Sequence, residues 1–168
     1  MPSWRRRGIH RLIDGRAASD YTFRPAEAVD APAVSRLVAA AYGHYVERIG
    51  GPPGPMTLDY GEVIRDRAVT IAEHDGEMVG LLVVGETEEG FALENVAVDP
   101  DHQGRGLGRA LLERAEAETR RAGFDSIYLY THEQMTENLE LYARIGYREY
   151  DRRQWPGFAL VFMRKPLA

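Results

Sequence analysis

Cysteine is absent from this 168-residue chain. That one lack excludes disulfide bonds, thiolate metal ligands and a cysteine nucleophile together, and it fits a cytoplasmic setting. Positive charge is not in excess: 21 lysines and arginines stand against 26 aspartates and glutamates, for a net charge of −5. Nucleic acid is therefore not an expected partner. No apolar run approaches the roughly 20 residues of a membrane span, so no membrane association is expected. The five histidines are scattered, without metal-ligand spacing, and no metal is expected. What is present is ordinary, with 44% hydrophobic and 28% charged residues, enough for one domain with a proper core.

The chain begins with a basic stretch, Trp4-Arg5-Arg6-Arg7. Residues 8–15 are too polar and too few for the apolar core of a secretory signal. Residues 1–20 are expected to be a flexible basic extension, with the folded domain at 21–168.

Periodicity and breakers give the order β α α β β β α β α β β. Residues 21–24 alternate and stop at Pro25. Asp30 is expected to cap a helix that carries Val34, Leu37, Val38 and Ala41 on one face. Gly50-Gly51-Pro52-Pro53-Gly54-Pro55 is the strongest breaker run and reads as a long loop inside one domain. A short helix is expected at 59–67. Strands at 69–73 and 78–84 flank Asp75-Gly76, a hairpin turn signal, and the next strand is 91–98. A helix from Gly106 to about Ala122 ends at Gly123, and a strand at 126–131 follows. Thr136 is expected to cap a helix at 137–145, ended by Gly146, and strands at 147–153 and 158–164 close the chain. A right-handed crossover makes strands 91–98 and 126–131 parallel. The expected fold class is α/β in the broad sense (α+β), a mixed and mostly antiparallel sheet with helices on both faces.

One stretch carries chemistry. Asp99-Pro100 stops a buried strand, and Gln103-Gly104-Arg105-Gly106-Leu107-Gly108-Arg109 turns at once into a helix. Backbone N–H groups at a helix N-terminus, uncrowded by side chains and flanked by Arg105 and Arg109, suit a phosphate-bearing ligand.

Gln103-x-x-Gly106-x-Gly108 after a Val-Ala-Val-Asp-Pro strand resembles the acetyl-CoA signature of the Gcn5-related N-acetyltransferases (GNAT family). The segment from Leu141-Tyr142 to Gly146-Tyr147 is similar to that family's second motif, Leu-Tyr-x-x-x-Gly-Phe/Tyr. The resemblance runs from about Tyr21 to Lys165. It implies a GNAT-like domain with a splayed central parallel strand pair and acetyl-CoA as co-substrate. It implies that Gln103, Gly104, Arg105, Gly106, Leu107, Gly108 and Arg109 receive the CoA pyrophosphate. The pantetheine arm would lie along the strand of Val96, Ala97 and Val98, with an N–H near Val96 polarising the thioester carbonyl. Tyr142 would be the general acid at the leaving sulfur. The acceptor would be a primary amine of an unidentified small molecule or peptide, attacking directly in a ternary complex, since no cysteine can carry the acetyl group. A homodimer is compatible with the implied fold.

Glu94 is the candidate general base, because a carboxylate beside Phe91, Leu93 and Val96 is expected to be desolvated, which favours its protonated form. A solvated strand-edge glutamate is the alternative; His132, His44 or a water relay could take the role, and His102 reads as a surface residue. Many family members have an asparagine seven residues before the tyrosine, where this chain has Met135. Asn138, one helical turn before Tyr142, either takes over a polar contact to CoA or caps and packs. The acceptor pocket is expected from Tyr42, His44, Tyr45, Glu47, Arg48, Asp59, the loop at 50–56 and the turn at 152–158 with Trp155. Glu47 and Asp59 would attract a cation, and Tyr42, Tyr45 and Trp155 would pack an apolar body. Two other functions are compatible with parts of the pattern. One is an acyl-CoA sensor on the same fold. The other is a dinucleotide-binding α/β protein, which the three hairpin-linked strands before the glycine turn oppose.

Overall fold

The computed structural model describes residues 20–168, so the expectation for the basic start of the chain lies, Asp20 apart, outside the described residues. Among these, seven strands form one sheet in the order β1-β2-β3-β4-β5-β7-β6. They are β1 (Thr22–Pro25), β2 (Ala68–His74), β3 (Glu77–Thr87), β4 (Gly90–Val98), β5 (Ser126–His132), β6 (Arg148–Trp155) and β7 (Phe158–Pro166). Every neighbouring pair is antiparallel except β4 and β5, which run parallel. The helices are α1 (Ala31–Tyr42), a single turn α2 (Val46–Ile49), α3 (Tyr60–Asp66), α4 (Leu107–Arg121) and α5 (Thr136–Arg144). None is long and apolar enough to cross a membrane.

Local chemistry accounts for most boundaries. Asp75 (φ 51°) and Gly76 (φ 80°) both adopt the positive torsions of a tight hairpin turn between β2 and β3. Pro25 pairs with Thr70 in the sheet; β1 is an edge strand, where a missing N–H is tolerated. Asp59 caps α3, accepting the N–H groups of Gly61 (2.8 Å) and Glu62 (3.2 Å). Two expected caps differ. The Asp30 side chain caps nothing in α1; its carboxylate accepts the Glu27 N–H and takes both terminal nitrogens of Arg24, at 2.8 and 2.9 Å. The Arg24 hydrogen bonds lower the Asp30 carboxyl to about 2. Thr136 is the first residue of α5, and Met135 stands at the N-cap.

The sheet divides the core. On one face α4 (Leu107, Leu111, Leu112, Ala115) and α5 (Leu141, Tyr142) pack on Val96, Val98, Ile127 and Leu129. On the other, α1 (Val34, Leu37, Val38, Ala41) and Tyr60 pack on Ile71, Leu81, Val83 and Ala97. That second face continues over β5 and β7 without a helix; Ala92, Tyr128 and Phe162 form a small cluster there, with the Arg153 guanidinium 3.9 Å from the Phe162 ring centre. Leu111 is 0% exposed. Replacing it with alanine should lower stability by about 2–5 kcal/mol, read as a fall in the urea midpoint at unchanged slope.

Candidate active site

The site begins with two irregularities in β4. The first is an extra residue. Val83 of β3 pairs with Asn95 and Val84 with Leu93, so Glu94 is bulged out of the ladder. The core-facing residues of β4 are accordingly Phe91, Leu93, Val96 and Val98, with one interval of three instead of two. The second is a lost partner. β4 and β5 pair only at Phe91–Ile127 and Ala92–Tyr128. Beyond Ala92 the two strands separate.

A cavity of about 940 Å³ occupies the gap. Val96, Leu129, Asn138 and Tyr142 line it from the splayed strands and α5, with Tyr42 of α1 beside them. It extends between α3 with its preceding loop and the bare face of β5 and β7. The loop at 50–55, Asp59, Glu62, Asp66 and Arg67 form one wall; Tyr130, His132, Phe158 and Leu160 form the other.

Buried polar groups tie the first of these walls to β4 and α1. Asn95, 5% exposed, accepts the Tyr42 hydroxyl through Oδ1 at 2.8 Å and donates Nδ2 to the Tyr60 hydroxyl at 3.1 Å. Tyr60 in turn donates to the Pro55 carbonyl at 2.6 Å, anchoring the glycine- and proline-rich loop to β4. The Tyr42 hydroxyl also lies 3.1 Å from the Val96 carbonyl, one of the groups released by the splay.

The structure brings Tyr142, Glu94 and Asn138 to the same cavity. Tyr142 is 5% exposed and rests edge-on against Tyr147. Burial pushes its phenol well above the ordinary value, so the group keeps its proton. Glu94 is held by Arg67, whose Nε lies 2.8 and 2.9 Å from the two carboxylate oxygens. Asn138 accepts the Tyr45 hydroxyl (3.3 Å) and donates to the Met135 sulfur (3.5 Å), which also accepts from Thr131. His132 lines the cavity too, but its Nδ1 accepts the Gln134 N–H at 3.1 Å. In the neutral ring that bond places the hydrogen on Nε2 and leaves no free lone pair for a base.

Val96 lines the cavity, whereas Ala97 packs under α1 and Val98 under α4. The expected acceptor wall is narrower than the sequence suggests. His44 lies tilted against Tyr45, Arg48 pairs with Glu137 at 2.6 Å, and none of these, nor Glu47, Met56 or Trp155, lines the cavity. Trp155 stacks on Phe158, which stacks on His132, so it supports the wall from behind. Glu62, Asp66, Arg67, Asn95 and Tyr130 line the cavity without having been singled out. The spacing of Asp59, Glu62 and Asp66 on one helix face was the available signal.

The glycine turn lies at the α4 N-terminus. Gly104 (φ 77°) and Gly106 (φ 87°) take torsions that side chains resist, and the N-cap position, Gly106, supplies no side-chain cap to the first N–H groups of α4. Arg105 is exposed; Arg109 is half-buried and pairs with Glu113 at 2.6 Å. An uncapped helix start beside two arginines fits a pyrophosphate. Among the described residues no group of three or more histidine, aspartate or glutamate side chains is placed to hold a metal ion.

The family model described as Acetyltransferase (GNAT) domain matches residues 65–149. The ribosomal protein bS18-alanine N-acetyltransferase of Escherichia coli K12 is 33% identical over 75 residues, 45% of this chain and 51% of that relative. The match thus spans about half the length of that relative. The crystal structure of the E. coli ribosomal-protein-S18-alanine N-acetyltransferase superposes with a TM-score of 0.70 at 24% identity, covering 88% of this chain and 94% of that one. A GNAT family acetyltransferase from Elizabethkingia anophelis, solved with acetyl-CoA bound, gives 0.67 at 16% identity, covering 88% and 99%. At these identities the structural likenesses show the fold.

Burial pushes the Tyr60 phenol up to about 12 and raises those of Tyr42, Tyr142 and Tyr147 well above their ordinary value. Unfolded phenols ionise near 10. Their contribution is therefore complete below pH 10 and is lost as pH rises toward 12, by up to about 1.4 kcal/mol per pH unit per tyrosine. Urea unfolding between pH 9 and 11.5 should show this fall, and Tyr42→Phe should make it shallower.

Proposed function

Because the chain belongs to the GNAT family of acetyltransferases, we propose that it transfers the acetyl group of acetyl-CoA to a primary amine by direct attack in a ternary complex. The observation that carries this reading is the cavity through the β4–β5 gap, which places a buried, proton-bearing Tyr142 and the Glu94 carboxylate around one space. Bound acetyl-CoA supplies an activated thioester. Residues 103–109 hold its pyrophosphate through the uncapped α4 N-terminus. Val96 turns its backbone toward the gap, since its carbonyl meets Tyr42 there. In an antiparallel strand a residue's N–H and C=O point the same way, so the Val96 N–H polarises the acetyl oxygen. Glu94 takes the proton that the attacking amine gives up as the C–N bond forms. Tyr142 gives its proton to sulfur as the C–S bond breaks. Asn138, fixed by Tyr45 and Met135, lines the pantetheine channel.

The acceptor is an amine with an apolar body that arrives as its ammonium ion and gives up that first proton to solvent before it attacks. Asp59, Glu62, Asp66 and Glu94 bring four carboxylates to the outer cavity against two guanidinium partners, Arg65 on Asp66 and Arg67 on Glu94, and Tyr130, Phe158 and Leu160 line it with them. Small amines and peptide N-termini both meet this description.

Acetyl-CoA at a hundred times its Kd should stabilise the chain by about 2.7 kcal/mol in a thermal-shift titration. A thiol-release screen over amines should then identify the acceptor. Stabilisation without CoA release across a broad panel would make the chain an acyl-CoA sensor. Tyr142→Phe should lower kcat by roughly a hundredfold or more while leaving the thermal shift in place; an unchanged kcat removes the acid role. Glu62→Gln and Asp66→Asn should raise KM for cationic amines severalfold and weaken its salt dependence.

A further inference from the structure

We infer that Arg67 is a positioning residue for Glu94 and that Gly85 exists to give Arg67 its path; this rests on the reading of Glu94 as the proton acceptor. Three separate elements converge on the pair. Arg67 is the C-cap of α3, where the backbone leaves the helix for an extended conformation (φ −130°, ψ 162°). Glu94 is the bulged residue of β4. Gly85 lies in β3, opposite Ala92. A Cβ on Gly85 would stand 2.9 Å from Arg67 Cδ and 3.9 Å from Glu94 Oε1. Its φ is not positive, so torsion does not require glycine there. Glycine inside a strand weakens it and commonly marks a close approach; here the approaching group is the Arg67 side chain.

Stability does not explain the arrangement. The two side chains are 39% and 25% exposed, and ion pairs that open to solvent contribute little. Position does. A bulged residue is released from its ladder, so nothing in the sheet fixes where its side chain points. The Arg67 Nε–H engages both Glu94 oxygens. A carboxylate has about four lone-pair sites, so this contact orients the group and leaves sites for a proton from the acceptor. Arg67 also donates weakly to the Asp66 carbonyl at 3.4 Å, which ties its guanidinium back to the end of α3.

The test uses the full chain with Gly85→Ala, Arg67→Gln, Glu94→Gln and the Gly85→Ala/Arg67→Gln double variant. Gly85→Ala alters no charge and touches no acceptor. Its crystal structure should show the Glu94 carboxylate displaced by about 1 Å or more, a misplacement that reduces rate by roughly ten- to a hundredfold. CoA release is followed with phenylethylamine as acceptor, and with water as acceptor in the absence of amine. Gly85→Ala and Arg67→Gln should each lower kcat by that factor, with the acetyl-CoA thermal shift unchanged. Gly85→Ala should add nothing further in the Arg67→Gln background, a coupling that general destabilisation would not produce. An unmoved Glu94 carboxylate in Gly85→Ala overturns the inference. So does full activity of Gly85→Ala and Arg67→Gln beside a crippled Glu94→Gln. Full activity of Glu94→Gln instead removes Glu94 as proton acceptor, and the proposed base with it.

Discussion

Two parallel strands that part company leave a row of backbone groups that must find other partners. In this sheet β4 and β5 pair at two positions and then separate, and the rest of the molecule is arranged around that separation. Asn138 and Tyr142 of α5 and Tyr42 of α1 line the gap, which opens to solvent beside α3 and the loop before it. Tyr42 reaches across to the Val96 carbonyl, and Tyr142 lines the same space. The bulge at Glu94 lets β4 keep its ladder with β3 on both sides of the irregularity. Without the extra residue, Leu93 and Val96 could not both face the α4 side of the core.

The polar core serves position as much as stability. Asn95 joins Tyr42 to Tyr60, and Tyr60 holds Pro55, so a loop built of glycine and proline is fastened to the strand at the centre of the site. Such a fully satisfied network gives a buried region a single arrangement. Met135 does comparable work with weaker bonds, its sulfur accepting from Thr131 and Asn138.

The order of elements, the parallel pair, both motif contexts and the turn at Asp75-Gly76 were legible in the sequence, because each rests on local periodicity or torsion. The bulge was legible in principle: Phe91, Leu93, Val96 and Val98 slip from an interval of two to three across Glu94-Asn95. Asp30 was misread because Arg24, six residues earlier, competes for the carboxylate that would cap α1. Arg67, Glu62 and Asp66 do not stand out in the sequence, because their place at the cavity comes from the tertiary packing of α3 near β4. The surroundings of Glu94 were read from its neighbours in the chain, whereas the group that engages it comes from 27 residues away. His132 shows the same limit: its place at a strand end was visible, but the Gln134 bond that fixes its tautomer was not.

The sheet is, mechanically, two plates. Four strands from β1 to β4 and three from β5 to β7 share only two rungs, with the crease running between them. Little backbone hydrogen bonding holds the crease, so α4 and α5, packed on Val96 and Val98 of one half and Ile127 and Leu129 of the other, are what join the two plates. Whatever lies in the crease and bonds to both lips becomes a third set of rungs. An occupant of the gap is then a structural member as well as a ligand, adding backbone bonds where the helices supply only packing.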